Sequence, residues 1–289
     1  MHSTSTTSGS HRRSQAAWRR RPRAFASALF VCLSLSVAVP ACSVDYELGT
    51  LDEPPSLGAS GAPLGIVATD GARLYDFDAV TAQFGPGRPL AGCDLPIVEL
   101  TRRERGELFA AGWAHGVGAL YRVRETGECF ATARFSIGSS WAIAFVPPPS
   151  GLVSGTLIGD EGGRLVTIDV LGAQTEILKR PTMGQVTGDI VVTADGDAWR
   201  SLSDALGRVS LQRIDPRTGV VRDSFVVASG DPLDGLVEAD GALIGFTHAG
   251  KVVRLSVVGG AVEIAPIATT GGPATFTGAA SAWAGGAPR

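Results

Sequence analysis

The 289-residue sequence contains no asparagine. N-glycosylation is thereby excluded, because its acceptor motif begins with that residue. Lysine is almost missing too, with Lys179 and Lys251 against 23 Arg, and there are four His, of which His2 and His11 stand near the N-terminus. Neither sign of charge dominates: 25 Lys and Arg face 28 Asp and Glu, for a net charge of −3. A chain so balanced lacks the basic excess that neutralises phosphates, which argues against a nucleic-acid partner. Beyond residue 42 no segment of ten or more residues carries a 3.6-residue apolar period, and this argues against a helical fold. What is present is 38 Gly and 44% apolar residues, the composition of a folded, turn-rich β protein rather than a disordered one.

The near-neutral average conceals a split. Residues 1–42 hold Arg12, Arg13, Arg19, Arg20, Arg21 and Arg23 and no acid, followed by an apolar run from Ala24 to Val39 and then Pro40, Ala41 and Cys42. A basic region, an apolar stretch and small residues in that order read as a secretory signal peptide. The run falls short of the ~20 residues that a membrane-crossing helix needs. Val39-Pro40-Ala41-Cys42 resembles the lipobox of bacterial lipoproteins, although Val and Pro replace the commoner Leu and Ala or Ser of its first two places. The resemblance implies that residues 1–41 are removed and that Cys42 is lipidated, anchoring the chain through two or more acyl chains, enough for stable attachment. Ser43, rather than Asp, follows Cys42, which by the same resemblance implies sorting to the outer membrane. Ordinary cleavage nearby is the other reading. Pro22 and Arg23 stand where a twin-arginine signal needs aromatic and apolar residues, so the general secretory route is expected.

Export makes sense of the cysteines. With Cys32 in the signal and Cys42 the lipidation candidate, Cys93 and Cys129 remain, and an even pair in an oxidising compartment predicts a disulfide. A closed loop of about 37 residues would stabilise the fold by roughly 3–4 kcal/mol. Residues 42–63, rich in acids, Pro, Gly and Ser, read as a flexible acidic tether.

Residues 64–289 repeat. One alternating segment recurs from Leu74 (LYDFDAVTA), Leu120 (LYRVRETGE), Leu165 (LVTIDVLGA), Leu211 (LQRIDPRTG) and Val252 (VVRLSVVGG), at spacings of 46, 45, 46 and 41. Four units also carry a preceding strand, from Gly106, Gly155, Gly196 and Gly241; the first unit shows no such copy. Units of this length built of short antiparallel strands predict an all-β propeller, and the span accommodates about five blades. Six blades or an open, incomplete propeller are the alternatives. The first unit starts short, and Ala274–Trp283 reads as an opening strand that lacks a unit, so the two ends are expected to complete one blade. The LYxID-x-x-TG phrasing resembles the degenerate repeats of secreted YVTN and quinoprotein-like propellers. That resemblance fixes a fold but no function, because such propellers serve as enzymes and as scaffolds.

Candidate sites are few, and no catalytic, cofactor-binding or metal-ligating set emerges. Asp70-Gly71, Asp160-Glu161-Gly162, Asp195-Gly196-Asp197 and Asp240-Gly241 read as hairpin turns at one common point of the repeat; Asp78, Asp169 and Asp215 open the next turn. Asp195 and Asp197 are the one weak calcium candidate, short of the six to eight oxygens that the ion prefers. His115 and His248 read as solvated turn residues, too few for a His₃ zinc site. No GxSxG elbow or phosphate-binding loop occurs. Trp113, Trp141, Trp199 and Trp283 read as packing between blades or, alternatively, as a stacking platform for a sugar or quinone. Arg102, Arg103 and Arg105 around Glu104 read as a solvated hairpin tip, with anionic lipid headgroups or glycan as the alternative contact.

These features point to an envelope-anchored, non-enzymatic lipoprotein that presents loops to a protein or glycan and needs no cofactor. The rivals are a lactonase- or lyase-like hydrolase with a channel-centred site, which requires acids converging at an open channel mouth, and a sugar- or quinone-binding module.

Overall fold

The computed structural model describes residues 65–103, 106–136, 141–147, 156–161, 163–168, 175–179, 185–228 and 231–281. The signal segment, Cys42, the tether, Glu104, Arg105, Asp169 and Trp283 lie outside them.

All of the regular structure described is β. The chain opens with β1 (Ile66–Thr69), β2 (Arg73–Asp78), β3 (Gln83–Phe84) and β4 (Arg88–Pro89), then runs through β5 (Ile97–Arg102), β6 (Leu108–Ala114), β7 (Val117–Val123) and β8 (Cys129–Ser136). It continues with β9 (Ala142–Val146), β10 (Thr156–Glu161), β11 (Arg164–Ile168) and β12 (Thr175–Lys179), and then β13 (Gln185–Val192), β14 (Ala198–Asp204), β15 (Val209–Ile214) and β16 (Val221–Val227). The last unit is β17 (Leu233–Ala239), β18 (Ala242–Thr247), β19 (Val252–Val258) and β20 (Ala261–Ile267), followed by the short β21 (Gly278–Ala280). Four sheets are consecutive four-stranded antiparallel meanders; the fifth, blade 1, is ordered β21-β1-β2-β3 with β4 beside β2. The first strands neighbour one another in the closed cycle β21, β5, β9, β13, β17 and back to β21. The fold is therefore a five-bladed β-propeller with β5–β8, β9–β12, β13–β16 and β17–β20 as blades 2 to 5.

The ends meet as their complementary deficits imply. Strand β21 pairs antiparallel with β1, with Val67 opposite Ala280 and Thr69 opposite Gly278, so the C-terminal strand supplies blade 1 with its innermost element. The missing second-strand copy requires a correction. Strand β1 occupies that place, introduced by Gly65 as the other four copies are introduced by a Gly, and blade 1 is short by one strand only.

Alternation has a specific use in this architecture. Each blade is covered on both faces, so successive residues of one strand enter different cores. On β6, Leu108 and Ala110 join the cluster shared with blade 1, whereas Phe109 and Ala111 join the cluster shared with blade 3. Five such clusters fill the five seams. The seam between blades 5 and 1 is the aromatic one: Phe77, Phe84, Phe246 and Phe276 meet with ring centroids 4.7–6.4 Å apart. Edge-to-face and stacked pairs of this kind add about 0.5–1.5 kcal/mol each beyond area burial, and they do so where the chain closes noncovalently.

Between blades 1 and 2, Cys93 and Cys129 form the expected disulfide, with Cα atoms 5.1 Å apart. It pins the connecting segment across blade 2. Further along that segment the Tyr121 hydroxyl donates to Asp94 and accepts from the Leu95 amide at 3.2 Å. Burial, then the Asp94 carboxylate, push the Tyr121 phenol up to about 12.

Five inner strands around one axis leave little room, and their residues are small where they converge. A Cβ on Gly188 would lie 2.1 Å from the Leu233 carbonyl oxygen, and one on Gly278 would lie 2.7 Å from Glu99 Cα. Only Gly permits such close backbone approach.

Candidate functional site

The acidic turns are not equivalent. Asp70-Gly71 and Asp160-Glu161 join second to third strands, whereas Asp195-Gly196-Asp197 and Asp240-Gly241 join first to second strands. Every hairpin of an antiparallel sheet needs the same turn chemistry, so composition alone could not tell the two sets apart. Asp70 accepts from the Ala72 and Arg73 amides, and Asp215 accepts from those of Arg217 and Thr218. His115 (φ 50°) and His248 are exposed in second-to-third turns.

Asp160 departs from the turn reading. Besides accepting from the Gly163 amide at 2.7 Å, it is fully buried against the Arg200 guanidinium, which reaches over from β14 and also donates to Gln212 at 2.8 and 3.1 Å. The seam between blades 3 and 4 thus contains an ion pair. Arg102 and Arg103 are half-buried rather than solvated: Arg102 lies on β5, where burial lowers its guanidinium pKa, and Arg103 pairs with Glu107 at 3.4 Å.

At the weak calcium candidate, Asp195 accepts from the Thr193 hydroxyl at 2.6 Å, and Asp197 pairs with Arg222 at 2.8 Å and with Arg213 at 3.7 Å. A cation there would compete with two guanidinium groups. No group of three or more His, Cys, Asp or Glu placed to hold a metal occurs among the described residues.

The axis carries the unexpected chemistry. Glu99 on β5 and Asp189 on β13 are both 0% exposed and hydrogen-bonded to each other across the centre. Burial comes first among the causes that push both carboxyls well above the ordinary range; the Asp189 charge and hydrogen bond raise Glu99 further, while the hydrogen bond from Glu99 favours the ionised form of Asp189. One proton shared by the two carboxyls spares the centre a second buried charge. Glu99 Oε1 accepts from the Leu100 amide at 2.7 Å and from the Ala279 amide, and Asp189 accepts from the Ile190 and Leu236 amides. The Asp189 amide donates to Ser201 Oγ at 2.9 Å, and that hydroxyl donates to the Leu233 carbonyl at 2.7 Å.

Strand irregularities position these groups. The registers of β5 with β6, β13 with β14 and β17 with β18 slip at Ile97/Glu99, Thr187/Ile190 and Leu233/Gly235. Bulges of this sort re-aim side chains, here at or beside Glu99, Asp189 and Asp234. Asp234 is half-buried; desolvation raises its pKa while its 2.7 Å contact with His248 Nδ1 pulls it back, and its charge in turn raises Asp189. Beside the axial pair lies a cavity of ≈ 30 Å³ lined by Leu100, Ala144, Ile190, Leu236 and Ala279 from all five inner strands. That is room for about one or two waters.

A larger recess, ≈ 410 Å³, opens between blades 4 and 5. Trp199, Leu211, Leu243 and Leu255 supply its apolar lining, and Asp195, Glu238 and Arg254 are among its polar groups. Trp199 stacks with Phe225 at 6.1 Å and lies 5.9 Å from the Arg213 guanidinium carbon. Trp141 is buried and Trp113 is partly buried in the seam between blades 2 and 3, as packing residues.

Fold and axis together define a five-bladed propeller closed at its centre by a carboxyl pair. Among solved structures it is similar to a streptogramin B lyase (15% identity, TM-score 0.42, 72% of this chain and 68% of that one). It is also similar to BamB from Moraxella catarrhalis (14%, 0.39, 71% and 59%) and to a protein of unknown function from Bacteroides caccae (8%, 0.28, 73% and 60%). No protein-family model and no curated protein matches the sequence.

Proposed function

We propose that this chain is an exported lipoprotein, anchored in the outer membrane through Cys42 and the 42–63 tether, whose 64–289 propeller binds an envelope protein or glycan and catalyses no reaction. The closed axis is the observation that carries this reading. A channel-centred hydrolase or lyase needs substrate to reach its acids, whereas Glu99 and Asp189 are 0% exposed beside a cavity of ≈ 30 Å³. The surface offers more: the recess between blades 4 and 5 has a volume within the ~300–1,000 Å³ of small-ligand sites. Its Trp199, carboxylates and Arg254 combine an aromatic face with planar hydrogen-bonding groups, which suits a sugar ring and favours glycan over quinone.

Three measurements test this reading. Cys42→Ala should move the protein from the membrane to the soluble fraction, and unchanged fractionation would overturn the anchor. Envelope glycan fragments should perturb Trp199 fluorescence in the wild type and lose binding at least tenfold in Trp199→Ala. Stoichiometric calcium or zinc in the purified protein would count against a non-catalytic, cofactor-free role.

A further inference from the structure

We propose that Glu99 and Asp189 act as a proton-dependent latch on the propeller axis: one shared proton, together with backbone amides, ties four of the five inner strands, and losing it loosens the ring. The ties can be named. Glu99 belongs to β5 and takes the Ala279 amide of β21; Asp189 belongs to β13 and takes the Leu236 amide of β17. Only β9, which presents Ala142, Ile143 and Ala144 near the axis, stands outside the network.

A proton fits this site better than a metal ion. A cation needs oxygen ligands on several sides, whereas the carboxyls are met by the amide donors of Leu100, Ala279, Ile190 and Leu236. These donors stabilise a single negative charge. A second would be buried without a counter-charge, a far costlier state. Glu99 Oε2 is buried with no donor of its own, which leaves it as the atom to carry the proton.

The ionisable neighbours are few. Strand β17 contributes Asp234, backed by His248 in the turn after β18; β14 contributes Arg200, committed to Asp160; β5 contributes Arg102, at its far end. Strands β9 and β21 contribute none. Among the described residues, therefore, no cation takes over when the proton leaves.

Below the ordinary carboxylate range, folded and unfolded chains both hold this proton. Above it the unfolded chain releases the proton and the folded one keeps it, so rising pH favours unfolding until the buried pair itself titrates. The amide of Glu99→Gln can donate to Asp189 but has no proton to lose. Urea unfolding of the purified wild-type and E99Q proteins from about pH 5 to 9 tests the latch. The wild-type unfolding constant should climb relative to the variant's by up to about tenfold per pH unit over part of that range; parallel profiles overturn the proposal. Should E99Q not fold, carboxyl infrared spectra of the wild type decide: a protonated carboxyl band persisting at neutral pH supports the latch, and complete ionisation overturns it.

Discussion

In the seam between blades 3 and 4, the buried carboxylate of Asp160 faces a guanidinium, whereas on the axis the buried Glu99 faces a second carboxyl. Both pairs are shielded from water and both join strands of different blades. The ion pair answers the desolvation of each partner with the charge of the other, aided by Gln212. The axial pair has no counter-charge and answers desolvation with a proton. Burial therefore does not by itself decide how a polar contact responds to solution conditions; the sign of the partner does. The first contact depends on both side chains being present, and the second depends on pH.

The largest expected effect breaks the first contact. Arg200→Met keeps most of the side-chain volume but leaves Asp160 buried without its guanidinium, so the loss should reach about 3–5 kcal/mol by chemical denaturation. Asp160→Asn in the same background should recover part of it by removing the stranded charge. The disulfide provides a tie that titrates in neither way. Replacing Cys93 and Cys129 together by Ser should cost roughly 3–4 kcal/mol, displacing the pH–stability curve downward without changing its slope. A changed slope would show that the seam between blades 1 and 2 is coupled to the axis.

Much of the architecture is legible in the chain because propeller blades repeat a local plan. Leu74, Leu120, Leu165, Leu211 and Val252 each fall on the third strand of a blade. The closing strand is legible through its surplus at the C-terminus. The axial site is not, for a physical reason: Glu99 and Asp189 lie on first strands, each a single acid among apolar residues (IVELT and GDIVV), and only closure of the ring brings them together. A lone carboxyl inside an inner strand is the signal that could have raised the question. Asp160 misleads in the opposite way, because Asp-Glu-Gly has turn chemistry, and nothing local announces that Arg200 of the next blade reaches it. Arg102 was hidden by its charged neighbours, which resemble a solvated tip, although it extends a strand otherwise made of IVELT.

The next effect by size sharpens the second contact. At about pH 5, Glu99→Gln should lie within roughly 1 kcal/mol of the wild type, because one neutral donor replaces another. As pH rises the variant should overtake the wild type by up to about 1.4 kcal/mol per unit. The carboxylates of exposed Asp76 and half-buried Asp204 are held low by Arg88 and by the Arg208 amide, so their contribution disappears instead as pH falls through their titration. The wild type should consequently have an acid limb set by its surface and an alkaline limb to which the axis and the burial-raised Asp234 and Glu238 all contribute, and E99Q should lose only the axial share of the latter.

The smallest effect lies at the rim. His248 is 64% exposed, and removing it as His248→Ala should change stability by less than about 0.5 kcal/mol. Its influence is on Asp234, whose pKa it lowers against the burial that raises it. Without His248 the Asp234 carboxyl should titrate higher, so the native state holds an additional proton above the ordinary carboxylate range and the fall in stability with pH becomes slightly steeper there. Carboxyl NMR titration of Asp234 reads the shift directly. Because the Asp234 charge raises Asp189, the axial titration should move down in the same variant by a smaller amount, over the interval in which Asp234 is newly neutral. An Asp234 shift with no response at Asp189 would confine the latch to its two central carboxyls and separate the rim from the axis.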